Sequence, residues 1–280
     1  MPTPQQDAAI DAVLAQARAL HASLDPLYTW DELAALIATS QLSALSRQPE
    51  FEALYAQTFG PLVRETYGSM EAYLRGRLGW DAQAPAREGE GNEPYWTRRA
   101  RTNVRRNDWP YGVPRDVSHW VVWVPLPLFH PSLCTPTPSA APSRASTPLP
   151  PSSASGTSTP SGTTRVNPLA SASLTAGGQA GKVAPTKGTW DHVSRMGLSG
   201  LTGQAERRWR ERARAEGRED PGAAAEGEEV EGPEREIDAF VRARWREEDG
   251  WETLWFANPP YLQSVPGLAH FHVLARKTAE

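Results

Sequence analysis

Near the end of the chain, residues 263–276 read QSVPGLAHFHVLAR and are almost wholly apolar from Val265 onward. His270 and His272 are spaced i, i+2, so in an extended strand both side chains leave the same face. At about 3.3 Å rise per residue the two imidazoles lie about 6–7 Å apart and can meet one small anionic group. Gln263 and Ser264 precede the strand, where a turn can aim them at the same point. The rest of the fold is expected to build around this strand.

Three interpretations of the histidine pair stay open. The first is structural: two strand histidines hydrogen-bonded within a packed sheet. The second is an anion or phosphate site, which the neighbouring Gln263 and Ser264 favour because amides and hydroxyls pair with phosphate oxygens. The third is a metal, since two imidazoles on one face suit Zn²⁺. No cysteine or nearby carboxylate stands out as a third ligand, so we predict neither a metal nor a cofactor.

Composition narrows the class of protein. The 280 residues suffice for one large or two small domains, and the net charge of -4 gives no electrostatic case for nucleic acid. No apolar run approaches the roughly 20 residues that span a bilayer, and residues 1–7 lack the pattern of a signal peptide. The single cysteine, Cys134, indicates a reducing compartment. We therefore expect a cytoplasmic protein, with nuclear access left open and no membrane partner.

Residues 1–82 are predicted to form a helical N-terminal block. Apolar residues recur at helical spacing between Asp7 and Ser23. Thr29 and Glu32 have the spacing of a capping box that begins a second helix. Further helices are predicted after Pro49, over 61–67, and from Ser69 to a stop at 79–80.

Residues 92–130 and 233–280 are predicted to be the two halves of an α+β core. In the first half, five arginines between 98 and 106 precede the turn-forming phrase NDWPYG at 107–112, and a buried strand follows over 119–124. In the second half a helix begins at Pro233, and strands are predicted over 251–257 and 265–276. The arginines are either a solvated face or a source of attraction for phosphate.

Between these halves, residues 131–232 are predicted to be a low-complexity insertion with one short charged helix over 204–217. Residues 131–188 are mostly Pro, Ser, Thr, Ala and Gly, a composition that buries too little apolar surface to offset its ordering entropy, so we expect disorder there. Strands joined by short turns with one intervening helix indicate an antiparallel sheet. The predicted fold is therefore α+β, with the helical block packed on a small antiparallel sheet.

Several phrases carry a resemblance to a known family: TWDEL at 29–33, RLGW at 77–80, NDWPYG at 107–112, HWVVW at 119–123 and the stretch 258–276. Together they resemble the fungal N-acetylglucosamine-induced protein family, an uncharacterised domain family, over most of 28–128 and 235–276. The resemblance implies a cytoplasmic fungal protein linked to the response to amino sugars. It supplies no reaction.

A second likeness is to the histidine-triad (HIT) nucleotide-binding proteins. Asn107-x-x-Pro110 before His119 and an apolar strand looks like their nucleotide-binding half. The run from Gln263 to the two histidines and Arg276 looks like their Gln-Thr/Ser-Val-x-His-x-His-x-His strand. The likeness implies a HIT-like sheet, with pairing of two sheets as a homodimer left open.

Carried over residue by residue, the HIT likeness makes His270 the nucleophile that takes a nucleotidyl group, and therefore the catalytic candidate. It makes His272 a phosphate contact, Gln263 and Ser264 ligands of phosphate oxygens, and Asn107 a ribose or base contact. His119 and Arg276 are further ligand-binding candidates, although a structural role hydrogen-bonded to backbone is the simpler reading of His119. Leu268 stands where the first histidine of the triad would be, and this favours binding over turnover.

The expected function is binding of a small phosphorylated ligand, a nucleotide or nucleotide sugar. If the site turns over, nucleotidyl transfer or phosphoanhydride hydrolysis through His270 is expected. The alternative is a non-catalytic regulatory or scaffold protein on the same fold.

Overall fold

The computed structural model describes residues 2–80, 102–124, 128–129, 134, 189–217 and 233–278. All of them belong to one compact unit. The helices are α1 (Pro4–Ser23), α2 (Trp30–Ala38), α3 (Pro49–Leu54), α4 (Gly60–Tyr67), α5 (Met70–Leu78), α6 (Trp190–Met196), α7 (Gln204–Ala215) and α8 (Pro233–Arg244). The strands are β1 (Asn103–Arg106), β2 (Ser118–Trp123), β3 (Leu198–Thr202), β4 (Trp251–Ala257) and β5 (His270–Lys277). Within these ranges, no helix is long and apolar enough to cross a membrane.

The helical block begins as its capping residues predict. Thr29 accepts a hydrogen bond from the Glu32 backbone N–H, and the Glu32 carboxylate accepts one from the Thr29 N–H, so both ends of the capping box are made. A π-helical segment, Tyr55–Phe59, joins α3 directly to α4. The helical prediction for this block is confirmed.

Trp109, in the turn between β1 and β2, connects the helical block to the sheet. Its ring lies 5.0 Å from that of Phe51, 4.8 Å from that of Phe59 and 5.1 Å from that of Tyr55, measured between centroids. These side chains belong to the buried cluster that α1, α3, α4 and α5 form around Ile10 and Leu14. The turn is therefore held inside the helical block, because aromatic side chains contribute most of the apolar area buried there.

The sheet has five antiparallel strands in the order β1-β2-β5-β4-β3, so β5 is central. Strand β5 lies between β2, with His272 opposite Val121, and β4, with His272 opposite Phe256. A strand buried on both faces reads as a continuous apolar run, and this is why residues 271–275 carry no charged side chain. The α+β prediction with an antiparallel sheet is confirmed.

Alternation along β5 gives the sheet two faces. We call the face that carries His270, His272 and Leu274 the histidine face; it meets the helical block, as the contacts of Leu274 with the α2 cluster show. We call the other face, with Phe271, Val273 and Ala275, the apolar face; it packs on α8 through side chains such as Ile237, Val241 and Trp245.

Residues 189–217 differ from the sequence prediction. They were placed in a low-complexity insertion, but β3 pairs with β4 from Leu198 opposite Ala257 to Thr202 opposite Thr253, and so completes the sheet. The charged helix α7 is confirmed, yet it buries Trp209 and Ala213 against the same core. Five residues, LSGLT, are too few and too mixed for the pattern to stand out as a strand. Of the predicted insertion, residues 131–188 (apart from Cys134) and 218–232 lie outside the described residues.

Candidate functional site

A cavity of about 110 Å³ lies where the histidine face meets the helical block. Strand β5 contributes His270 and His272, the segment before it contributes Ser264, and the turn after β1 contributes Asn107 and Asp108. About 10–15 Å³ is enough for one water, so a group the size of a phosphoryl fits together with solvent. Four of the residues predicted from sequence, His270, His272, Ser264 and Asn107, are therefore brought to one place.

His270 is 6% exposed, and its ring is fixed by the backbone. Its Nδ1 lies 2.7 Å from the carbonyl oxygen of Leu268, and its ring centroid lies 4.6 Å from that of Trp123. Burial lowers the pKa of His270, and the hydrogen bond to Leu268 opposes that shift. The imidazole is therefore neutral near pH 7. Because a carbonyl can only accept, Nδ1 carries the proton and Nε2 keeps its lone pair.

His272 pairs with His119, which is one strand away. The Nδ1 of His272 lies 3.0 Å from the Nε2 of His119, and the two rings meet edge to face. Burial lowers the pKa of His119 to about 3. The pKa of His272 is also well below its usual value, first because of burial and then because of His119, His270 and Arg47. His119 itself receives the backbone N–H of Tyr111 at its Nδ1, over 3.2 Å.

The turn after β1 is fixed by its own hydrogen bonds. The Oδ1 of Asn107 accepts from the backbone N–H of Trp109 over 2.9 Å, the bond expected when Asn begins a turn. Gly112 closes the turn against Leu27, where an added Cβ would lie 2.6 Å from Leu27 Cγ, so only glycine fits. Burial raises the pKa of the Asp108 carboxyl, with Arg77, Arg18 and Arg105 opposing the shift. The turn predicted to cover the histidines thus lies against them.

Four arginines line the cavity: Arg47, Arg77 and Arg105, which lie on the histidine side, and Arg106. Arg47 is the most buried of them; its Nε donates to the Trp109 carbonyl, and its guanidinium lies 4.8 Å from the ring centroid of Tyr55. Arg105 donates to the carbonyl oxygen of Arg77. Each guanidinium keeps its charge at any physiological pH and supplies donors suited to oxyanions. The cavity therefore offers guanidinium donors beside its neutral histidines; Glu52 pairs with Arg47, Asp11 pairs with Arg77, and the Asp108 carboxyl also lines the cavity.

Two of these arginines were missed by the sequence analysis. Arg47 and Arg77 lie in the helical block, 223 and 193 positions before His270, and nothing in their local pattern separates them from surface arginines. Arg105 belongs to the basic cluster that was considered. Its neighbour Arg106 points to the apolar face, where its guanidinium lies 4.6 Å from the Trp120 ring centroid. The aromatic walls of the cavity, Tyr55, Phe59, Tyr73, Trp109 and Trp123, were also not identified.

Three predicted site residues are not part of this cavity. The Nε2 of Gln263 donates to the carbonyl oxygen of Asn258. Arg276 lies at the far end of β5, where it pairs with the buried carboxylate of Glu252 over 2.7 Å and covers the Trp30 ring. His119 lies behind His272 and lines a second cavity, of about 180 Å³, with Arg18 and His21. Arg276 lies on the histidine face, as strand alternation predicts, but it is too far along β5 to reach the two histidines.

No group of three histidine, cysteine or carboxylate side chains capable of holding a metal ion is found in the described ranges.

Comparison with known proteins gives one family. The family model described as "Protein of unknown function (DUF3605)" matches residues 29–132 and 218–276, which is more than half of the chain. No curated protein matches the sequence. The solved structure described as "Crystal Structure of HTC1" is similar over 90% of this chain and 86% of that chain, with 17% identity and a TM-score of 0.40.

Proposed function

The chain belongs to the DUF3605 family of proteins of unknown function, and from that premise we propose that its cavity binds a small phosphorylated ligand, a nucleotide or nucleotide sugar. The observation that carries the proposal is the convergence of Arg47, Arg77 and Arg105 with two neutral imidazoles in a cavity between the helices and the sheet. Charge-assisted hydrogen bonds from guanidinium groups to phosphate are among the strongest that proteins make.

The cavity walls favour a ligand with an apolar or aromatic part in addition to phosphate. Tyr55, Trp109 and Trp123 present rings, and Leu74 and Val265 present aliphatic surface. Binding sites for cofactors combine such walls with a small number of polar groups. A nucleobase or sugar ring stacks on aromatic side chains, whereas free phosphate gains nothing from them.

His270 is the residue that would carry a reaction. Its Nδ1–H is held by the Leu268 carbonyl, so its Nε2 lone pair is oriented. In nucleotidyl transfer this nitrogen would attack the α-phosphorus, forming a P–N bond while the bond from phosphorus to the leaving oxygen breaks. Water would then attack the same phosphorus, the P–N bond would break with its electron pair returning to Nε2, and the proton lost by the water would pass to solvent, which restores the neutral imidazole.

The same proposal includes the finer family relationship. The phrases at 107–112, 119–123 and 258–276 support a relationship to the fungal N-acetylglucosamine-induced proteins and a HIT-like sheet. On that proposal the protein is cytoplasmic. Whether two copies pair through their sheets to form a homodimer stays open. The five-stranded antiparallel sheet with a histidine strand at its centre is consistent with this proposal.

Thermal shift against nucleotides, nucleotide sugars and sugar phosphates tests the proposal. A ligand at 100 times its dissociation constant stabilises the folded state by about 2.7 kcal/mol, so at least one compound should raise the Tm of the wild type. The gain should shrink in His270→Gln and in Arg105→Gln. Arg244→Gln is the matched control, because it removes the same charge from an arginine of α8 that lies over Trp245 and does not line the cavity.

The alternative function, a non-catalytic scaffold, has its own outcome in that experiment. If no phosphorylated compound raises the Tm, or if Arg105→Gln and Arg244→Gln behave alike, the phosphate proposal fails and the scaffold remains. A gain in Tm without product formation indicates binding alone.

A further inference from the structure

The backbone N–H of Tyr111 fixes which ring nitrogen is protonated in His119 and, through His119, in His272. The N–H of Tyr111 can only donate, and it points to the Nδ1 of His119. His119 is neutral, so its one ring proton lies on Nε2. That nitrogen has two neighbours, the Nδ1 of His272 at 3.0 Å and the Nδ2 of Asn107 at 3.3 Å.

The orientation of the Asn107 amide decides between these two neighbours. Its Oδ1 is occupied by the N–H of Trp109, so the group toward His119 is the amide NH₂, which cannot accept. His119 Nε2–H therefore donates to the Nδ1 of His272. A neutral His272 then carries its proton on Nε2.

His270 has the opposite pattern. Its Nδ1–H donates to the Leu268 carbonyl, and its Nε2 is left with a lone pair. The two rings line the same cavity, with centroids 5.4 Å apart, and neither Nε2 makes a hydrogen bond to another residue of the described chain. The cavity therefore presents one N–H donor, from His272, beside one acceptor, from His270.

From this pairing we infer that the cavity selects a phosphoryl group that carries a proton: the ligand oxygen facing His272 accepts, and the P–O–H facing His270 donates. The inference rests on the proposed function and narrows its ligand class. A phosphomonoester, as in a nucleoside monophosphate or a sugar phosphate, can carry this proton, since its second pKa is about 6. The bridging phosphates of a nucleotide sugar have no such proton.

Within this arrangement His119 is a positioning residue. It lies outside the cavity that His270 and His272 line, and it acts by fixing which nitrogen of His272 is protonated. The arginines add charge but cannot distinguish a protonated from an unprotonated oxygen, because guanidinium groups only donate. Selection between the two forms depends on an acceptor in the cavity. The Asp108 carboxyl is one candidate, but we assign the role to His270 because its ring lies beside the His272 donor, with centroids 5.4 Å apart.

Inorganic phosphate and sulfate are the matched probes, because they share shape and size while only phosphate keeps an O–H near neutral pH. Calorimetry on the full chain should give phosphate at least tenfold tighter binding than sulfate. The discrimination should disappear in His270→Gln, whose amide N–H can rotate to donate to sulfate. His192→Gln, on α6, is the control. Equal affinities in the wild type, or no binding of either anion, overturn the inference.

The tautomers can be measured without any ligand. A long-range ¹H–¹⁵N spectrum should place the protons of His119 and His272 on Nε2 and that of His270 on Nδ1. His119→Gln, which keeps an amide donor, should preserve the phosphate preference, and His119→Phe should reduce it by shifting the His272 proton. A reversed pattern in the wild type sinks the inference even if nucleotides bind, whereas failure of the whole ligand panel in thermal shift sinks the proposed function.

Discussion

Both faces of β5 are shielded from bulk solvent, but one is apolar and the other carries polar side chains. On the apolar face Phe271, Val273 and Ala275 are fully buried against α8. On the histidine face His270 and His272 are almost as buried, yet they meet a cavity, a polar turn and three arginines. Close packing of apolar groups stabilises the fold on one side of the strand, whereas the other side borders a cavity that close packing alone does not explain.

The largest expected effect is on the apolar face. Phe271→Ala should lower the free energy of unfolding by about 3–5 kcal/mol, since it empties a closely packed site against Phe240. His270→Gln, one residue earlier on the opposite face, should cost clearly less because that side chain borders an existing cavity. Urea denaturation of both variants measures the difference. Equal losses would mean that the histidine face is as tightly packed as the apolar one.

The second prediction is that the free energy of unfolding depends on pH through the histidines of the histidine face. His119 has a folded pKa of about 3, below its unfolded value of about 6.5, so the unfolded chain binds the extra proton. Its contribution to stability is complete above pH 6.5 and is lost as the pH falls toward 3. The free energy of unfolding should therefore be about 2 kcal/mol lower at pH 5 than at pH 8 from this group alone. Urea midpoints across this range should show the loss, and His119→Gln should remove its share of it while that of His270 and His272 stays.

The smallest effect is expected from removing residues 135–185. If this segment covers neither face of β5, its deletion should leave the protein soluble and cooperative in melting. Shortening a loop lowers its closure entropy by only about 0.6 kcal/mol per halving, so stability should rise by about 1 kcal/mol at most. Cooperativity by calorimetry is the measurement. An insoluble or broadly melting variant would show that one face depends on the segment.

Sequence patterns located the central elements of the site but not its surroundings. The i, i+2 spacing of His270 and His272 and the turn residues at 107–112 are local signals, and the structure brings both histidines and the start of this turn to one cavity; that the cavity binds a ligand stays a prediction. Strand β3 was missed because its five residues carry no clear alternation, and only pairing with β4 defines it. Gln263 and Arg276 were grouped with the histidines by proximity in sequence, although hydrogen bonds and an ion pair hold them elsewhere.

By itself, the sequence determined the helical block, the α+β class and the shared face of the two histidines, because capping boxes and side-chain alternation depend only on neighbouring residues. Only the tertiary structure decided that Arg47 and Arg77 face those histidines, and which nitrogen of each ring is protonated. These properties arise from contacts between segments more than a hundred residues apart, such as His119 with His272. No local spacing encodes such contacts, since they form only when distant strands pair and the helices pack on the sheet.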